Sequence, residues 1–168
     1  PRIVPQARRL NQITTEEMLE LASVGARVLQ TRAVEFAGKY GVPIRVMSSF
    51  EEGPGTLICQ ESNEMEQPLI SGIAYNGEEA KLTITGVPDQ PGVASQIFGP
   101  LSEAHINVDM IIQNTSEAGS TDVSFTVQNE DLDHALEVCA GVQKELGAEE
   151  VVSDSDIAKV SVVGVGMK

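Results

Sequence analysis

The stretch KLTITGVPDQPGVASQIFGPLSEAHINVDMIIQNTSEAGSTDVSFTV, residues 81–127, decides the reading of the fold. Leu82 and Ile84 alternate with Thr83 and Thr85, the period of a half-buried strand. The turn Pro88-Asp89-Gln90-Pro91-Gly92 follows, and Val93, Ala94, Ile97, Phe98 and Leu101 then recur at helical spacing. Pro100 inside that helix is expected to distort it. Residues 106–113 read as a second strand, 114–120 as a polar loop, and Val123, Phe125 and Val127 as one face of a third strand. A strand turning sharply into a helix collects unpaired backbone N–H groups, which suit a carboxylate or a phosphate. Asp89 lies beside them and suits an ammonium group. Acid and amine recognition side by side is what binding of a free amino acid requires.

The pattern extends in both directions. Downstream, Leu132, Ala135, Leu136, Cys139, Val142 and Leu146 mark one face of a helix that Asn129 is expected to cap, and residues 149–153 read as a last strand. From residue 80 onward the order is therefore β-α-β-β-α-β, the ferredoxin-like split βαβ unit, and the fold class is α+β. Upstream, residues 69–75 read as a strand and Asn76-Gly77 is a hairpin signal, leaving open whether that strand pairs with the next one. Residues 61–68, polar and acidic, read as a linker. Before it, Thr14 with Glu17 forms a capping box that opens a helix over 15–24. A second helix is expected over 26–40, stopped by Gly41 and Pro43, with strands at 42–49 and 56–59.

Composition narrows the function. The chain has 168 residues and a net charge of −14, enough length for one medium domain or two small ones. Nucleic-acid binding is driven by clustered Lys and Arg, so neither a nucleic-acid partner nor an anionic membrane surface is expected. The absence of Trp argues against stacking platforms for single strands. Cys59 and Cys139 lie far apart with no ligand spacing around them, so no disulfide framework and no metal site is expected, and a reducing cytoplasm fits. Cys139 falls on an apolar helix face and reads as a small core residue. His105 and His134 stand apart from other catalytic residue types, and no catalytic constellation is assigned.

A repeat is also present. AKLTITGV at 80–87 matches AKVSVVGV at 158–165 in pattern and partly in identity, so a tandem second unit is expected to begin at residue 158. The chain opens on Pro1-Arg2-Ile3-Val4-Pro5 without Met and closes soon after the second copy starts; the expectation is a piece of a longer protein.

Long ordered motifs carry a resemblance. Residues 87–94 (VPDQPGVA), 106–111 (INVDMI), Gln113-Asn114 and 121–127 (TDVSFTV) resemble the first ACT domain of bacterial aspartate kinases. PRIVPQA at 1–7, EMLELA at 17–22, GARVL at 25–29 and RAVE at 32–35 resemble the end of the amino-acid kinase domain of the same enzymes. The resemblance implies residues 1–60 as the end of a kinase domain, 61–68 as linker, 69–157 as an effector-binding ACT domain, and 158–168 as the first strand of a second one. It implies a parent enzyme that phosphorylates the side-chain carboxylate of L-aspartate with ATP and Mg, under feedback inhibition by lysine, threonine or both. The family's Lys-Phe-Gly-Gly start is absent from the sequence, so no cofactor and no turnover are expected of these residues alone. The alternative is a stand-alone amino-acid-binding regulatory subunit that assembles with a catalytic chain.

The residues the resemblance assigns to the effector are Asp89, Gln90, Pro91, Gly92, Val93 and Ala94 with Asn107, Val108, Asp109 and Gln113. Asn107, Asp109 and Gln113 share odd numbering, which on a regular strand puts them on one face. In that picture the N–H groups near Gly92 and Ala94 take the effector carboxylate, Asp89 takes its ammonium and Gln113 reads its side chain; Asp109 either joins them or holds the loop. The plain alternative is a turn and helix start, with Asp89 as an N-cap. Arg2 and Arg27 are the candidates for nucleotide phosphates, against two ordinary surface arginines. Partners expected are a small-molecule effector and another ACT-bearing chain, identical or related, through unpaired sheet edges.

Overall fold

The computed structural model describes residues 4–61, 70–115 and 119–164. The chain divides into two compact units, Gly77–Lys159 and the segments Pro1–Asn76 with Val160–Lys168 on either side of it.

The first unit is built on a three-stranded sheet in the order β1-β3-β2, from β1 (Gln12–Thr14), β2 (Ile44–Val46) and β3 (Thr56–Cys59). Helix α1 (Thr15–Ser23) opens on the expected capping box. Thr14 Oγ1 accepts from the Glu17 N–H at 3.2 Å, and Glu17 Oε2 accepts from the Thr14 N–H at 3.0 Å. Glu17 is buried and also accepts from the Ser71 hydroxyl. Burial pushes its carboxyl up, but the bonds from Ser71 and Thr14 outweigh this and hold it below the usual carboxylate range. A depressed carboxyl contributes stability above its unfolded pKa and loses it as pH falls through the folded one. Glu17→Gln is therefore expected to lower the melting temperature at pH 7, and the gap to wild type should narrow as pH falls below the ordinary glutamate range. Parallel melting temperatures from pH 3 to 7 would show that the charge at Glu17 is immaterial.

Helix α1 stops earlier and α2 (Thr31–Lys39) starts later than the periodicity predicts. Gly25, at φ +104°, follows the C-cap, and the Ala26 N–H reaches back to the Leu21 carbonyl at 2.9 Å. This left-handed close of a helix forces residues 26–30 into turns before a new helix begins. The strand expected over 42–49 shortens to β2, and the three-residue β1 was not foreseen.

The second unit contains β5 (Glu79–Pro88), α3 (Val93–Glu103), β6 (Val108–Thr115), β7 (Ser120–Gln128), α4 (Leu132–Leu146) and β8 (Glu150–Asp154). Its strands form one antiparallel sheet ordered β6-β7-β5-β8, the ferredoxin-like arrangement read from the sequence. Leu82, Ile84, Val87, Val123, Phe125 and Val127 pack against Ile97 and Leu101 of α3 and Ala135, Cys139 and Val142 of α4. Phe98 meets Phe125 edge to face at 5.4 Å between ring centroids. Burial pushes the Cys139 thiol up to about 11, as befits a core residue. Helix α3 continues through Pro100 to Glu103, so the expected distortion does not end it. Asn129 makes no side-chain cap; it begins a short 3-10 turn that leads into α4, whose N-cap is Asp131.

The sheet topology answers the pairing left open at Asn76-Gly77. The strand β4 (Gly72–Asn76) does not pair with β5 across Asn76-Gly77; its partner is β9 (Lys159–Val163), the strand of the second repeat copy. Ala74 of β4 and Val163 of β9 are buried with Ile13, Met18, Leu21, Val34 and Ile58 in the core of the first unit. The compact βαββαβ unit begins at Gly77, and the second copy of the repeat pairs with a segment upstream of that unit. Apart from Glu61 the expected linker, with the start of the strand at residue 69, lies outside the described residues.

Candidate functional site

The loop after β5 is held from two sides. Before it, β5 shifts register between Ile84 and Val87, and Gly86 adopts φ +64°. The Gly86 N–H, turned out of the ladder, donates to Asp122 Oδ1 at 3.0 Å. A Cβ at Gly86 would fall 2.4 Å from Glu149 Cγ, so both the backbone angle and the close approach require glycine. After it, the Asp89 N–H donates to the Gly119 carbonyl at 3.1 Å and the Gln90 N–H to the Pro88 carbonyl at 3.0 Å. Thr121, buried at the start of β7, donates its hydroxyl to the Asn114 carbonyl and closes the same end of the sheet.

The N-cap of α3 is Gly92 at φ +95°, with no side-chain cap. Asp89 is thus not the cap of this helix; it is exposed, three residues before Gly92. The first helical bond runs from the Gln96 N–H to the Gly92 carbonyl at 3.2 Å. Geometry therefore leaves the N–H groups of Ala94 and Ser95 with no acceptor inside the helix. Val93 is buried and anchors the turn to the core, while Asp89, Gln90, Pro91, Gly92 and Ala94 are exposed. The result is an exposed cradle of N–H donors of the kind that suits a carboxylate, with Asp89 in the turn that leads into it.

The other expected residues separate. Register places Gln113 opposite Val123, toward the loop end of the sheet, and exposed. Val108 pairs with Val127 at the opposite end, with Asn107 and Asp109 beside it. The stretch of β7 from Ser120 to Val127 between the two ends is roughly 23 Å at about 3.3 Å per residue. The odd-numbered alternation also fails, because β6 shifts register between Val108 and Ile111. Val108 and Gln113 both oppose core residues of β7 and so share a face despite unlike parity. Asp109 instead bonds to Lys159 Nζ. Within one chain the loop and Gln113 thus lie toward one end of the sheet, and Asn107 and Asp109 toward the other.

Arg27 is exposed on the turn between α1 and α2, and Arg2 lies outside the described residues. A cavity of about 350 Å³ in the first unit, lined by Thr14, Glu16, Leu19, Glu35, Lys39 and Gln60 among others, includes none of the expected site residues. Among the described residues no cluster of His, Cys, Asp or Glu is arranged to hold a metal ion, and no helix is long and apolar enough to cross a membrane. Gly86, Asp122 and Thr121 were missed as positioning residues. An isolated glycine inside a strand pattern was the available signal for the bulge at Gly86; nothing in the sequence pointed to Asp122 as its acceptor.

The βαββαβ unit, with its glycine-capped helix at the end of the first strand, is an ACT domain: residues 82–142 match the ACT domain family. The full length of the chain is 61% identical to the aspartokinase of Pseudomonas aeruginosa over 170 residues, and it spans 41% of that relative's length. The aspartate kinase of Clostridium acetobutylicum has the same fold, with a TM-score of 0.81 at 24% identity over 99% of this chain and 38% of that one. Aspartokinase III of E. coli in complex with lysine and aspartate, in its T-state, superposes with a TM-score of 0.69 at 28% identity over 98% of this chain and 36% of that one. Over its whole length the chain is similar to a part of the aspartokinases that carries an ACT domain.

Proposed function

We propose that this chain is the amino-acid-sensing portion of a cytoplasmic aspartate kinase, an enzyme that transfers the γ-phosphoryl group of ATP, with Mg, to the side-chain carboxylate of L-aspartate. In this reading the ACT domain binds lysine, threonine or both, and the residues described here carry no turnover of their own. The observation that carries it is the cradle at residues 89–94: N–H donors for a carboxylate beside Asp89 for an ammonium, in a chain whose full length is 61% identical to an aspartokinase. The lysine bound to the E. coli relative supports lysine as one effector. Inhibition follows if the effector binds one arrangement of paired ACT domains more tightly than another and so shifts the population of the enzyme. Isothermal titration of the chain with lysine, threonine and both together tests it; no heat with any of them, on folded protein, would sink the reading.

The separated half-sites bear on assembly. Strand β6 is an edge of the sheet and exposes Met110, Ile111 and Ile112. An edge of this kind pairs readily with another. Antiparallel pairing of β6 with β6 of a second copy sets the start of one strand beside the end of the other. Asn107 and Asp109 of one chain then approach Gln113 and the loop of its partner, completing an amino-acid site from two halves. Light scattering at micromolar concentration is expected to give at least a dimer. A strictly monomeric particle that still binds effector at full strength would rule out the shared site.

A further inference from the structure

Asp109 is already engaged by a cation that the chain itself provides. Lys159 Nζ lies 2.6 Å from Glu79 Oε1 and also bonds to Asp109 Oδ2. The two carboxylates are unequally placed: the Glu79 side chain is 1% exposed and that of Asp109 58%. Glu79 is the fixed arm of this three-membered cluster, and Asp109 is the arm a solute can reach. Burial pushes the Lys159 ammonium down, but the bonds and charges of Asp109 and Glu79 outweigh it and hold the group above its ordinary value, so it is charged at neutral pH.

We propose that Lys159 is a built-in competitor for the effector's ammonium group, which Asp109 would share with Asp89 of the second copy, and that an effector occupying Asp109 must first displace Lys159 from it. This rests on the reading above, in which the start of β6 contributes to an amino-acid site. The exchange is of like for like, one primary ammonium for another on the same carboxylate. Its cost lowers effector affinity, and its product is a Lys159 held by Glu79 alone. Lys159 is the last residue of the second unit and the first of β9, and Glu79 lies two residues beyond the start of that unit. Ligand exchange at an exposed carboxylate is therefore linked to both places where the chain enters and leaves the sensing unit.

Lys159→Met alone would leave Glu79 buried without its cation, so the informative variant is Glu79→Gln/Lys159→Met, neutral at both positions. Calorimetric titration with L-lysine and with L-threonine is expected to show binding about tenfold tighter in this variant than in wild type, the worth of one charge-assisted bond released from competition. In an Asp109→Asn background the same pair of substitutions should change affinity less than about twofold, because there is nothing left to compete for. Unchanged or weaker binding at equal melting temperature, or a gain that survives Asp109→Asn, overturns the proposal. In the wild-type chain, hydrogen exchange at the Val160 amide should quicken when effector binds, which tests the same idea without any substitution. Heat of binding without that change overturns this inference alone; no heat from either protein overturns the functional reading with it.

Discussion

Asp89→Ala is expected to weaken effector binding by roughly ten- to a hundredfold and, in the aspartate kinase proposed above, to raise the inhibitory concentration by the same factor without slowing uninhibited turnover. A charge-assisted bond between a carboxylate and an ammonium contributes about 1.5–3 kcal/mol, and about 1.4 kcal/mol is tenfold. The lower figure is the better guide, because Asp89 is exposed and solvent screens it. Asp89 does not cap α3, whose N-cap is Gly92 with no side-chain bond, so the substitution removes no cap. Stability should stay within about 0.5 kcal/mol of wild type, as for surface changes away from special features. Titration calorimetry on the chain and inhibition curves on the kinase measure the effect. Equal affinity in mutant and wild type would leave the carboxylate without a role in recognition.

Phe125→Ala is expected to unfold the sensing unit selectively. Phe125 is 1% exposed, stands opposite Leu82 on β5 and Ile111 on β6, and carries the edge of the Phe98 ring. Truncating a buried phenylalanine costs about 3–5 kcal/mol. Against a total of about 5–15 kcal/mol for a domain, that is a large share. The core around Phe125 and the core around Val34 and Ile58 have no residue in common. Differential scanning calorimetry should therefore show one transition moved well down and the other in place. A single transition shifted as a whole would mean that the two units unfold cooperatively.

The sequence was most legible where local chemistry decides the outcome. The capping box at Thr14 and Glu17, the stop at Gly41 and the βαββαβ order all depend on neighbours within a few residues, and all are present. Strand partners were not legible. Asn76-Gly77 has the composition of a hairpin turn, yet Ala74 finds its place in the first unit's core and β4 takes β9, more than eighty residues on, as its partner. The same limit applied to the site. The cradle at residues 89–94 could be read because it is contiguous. The face shared by Asn107, Asp109 and Gln113 could not, because one register shift in β6 inverts parity, and no pattern in the sequence announces it. The bond from Lys159 to Asp109 spans fifty positions and leaves no periodic trace.

The chain enters the sensing unit after Asn76 and leaves it after Lys159, and the Glu79–Lys159 ion pair holds those two ends side by side. A domain whose termini meet can be spliced into a host at a single point, because the host need bridge only a short gap. The ACT domain here is in that sense a cassette: residues 77–159 could be lifted out, closed by a brief linker, and exchanged for another module, with β4 and the rest of β9 from Val160 onward left in the host. Effector specificity in such an architecture can change by substitution of one insert, while the parts of the chain outside it keep their own core.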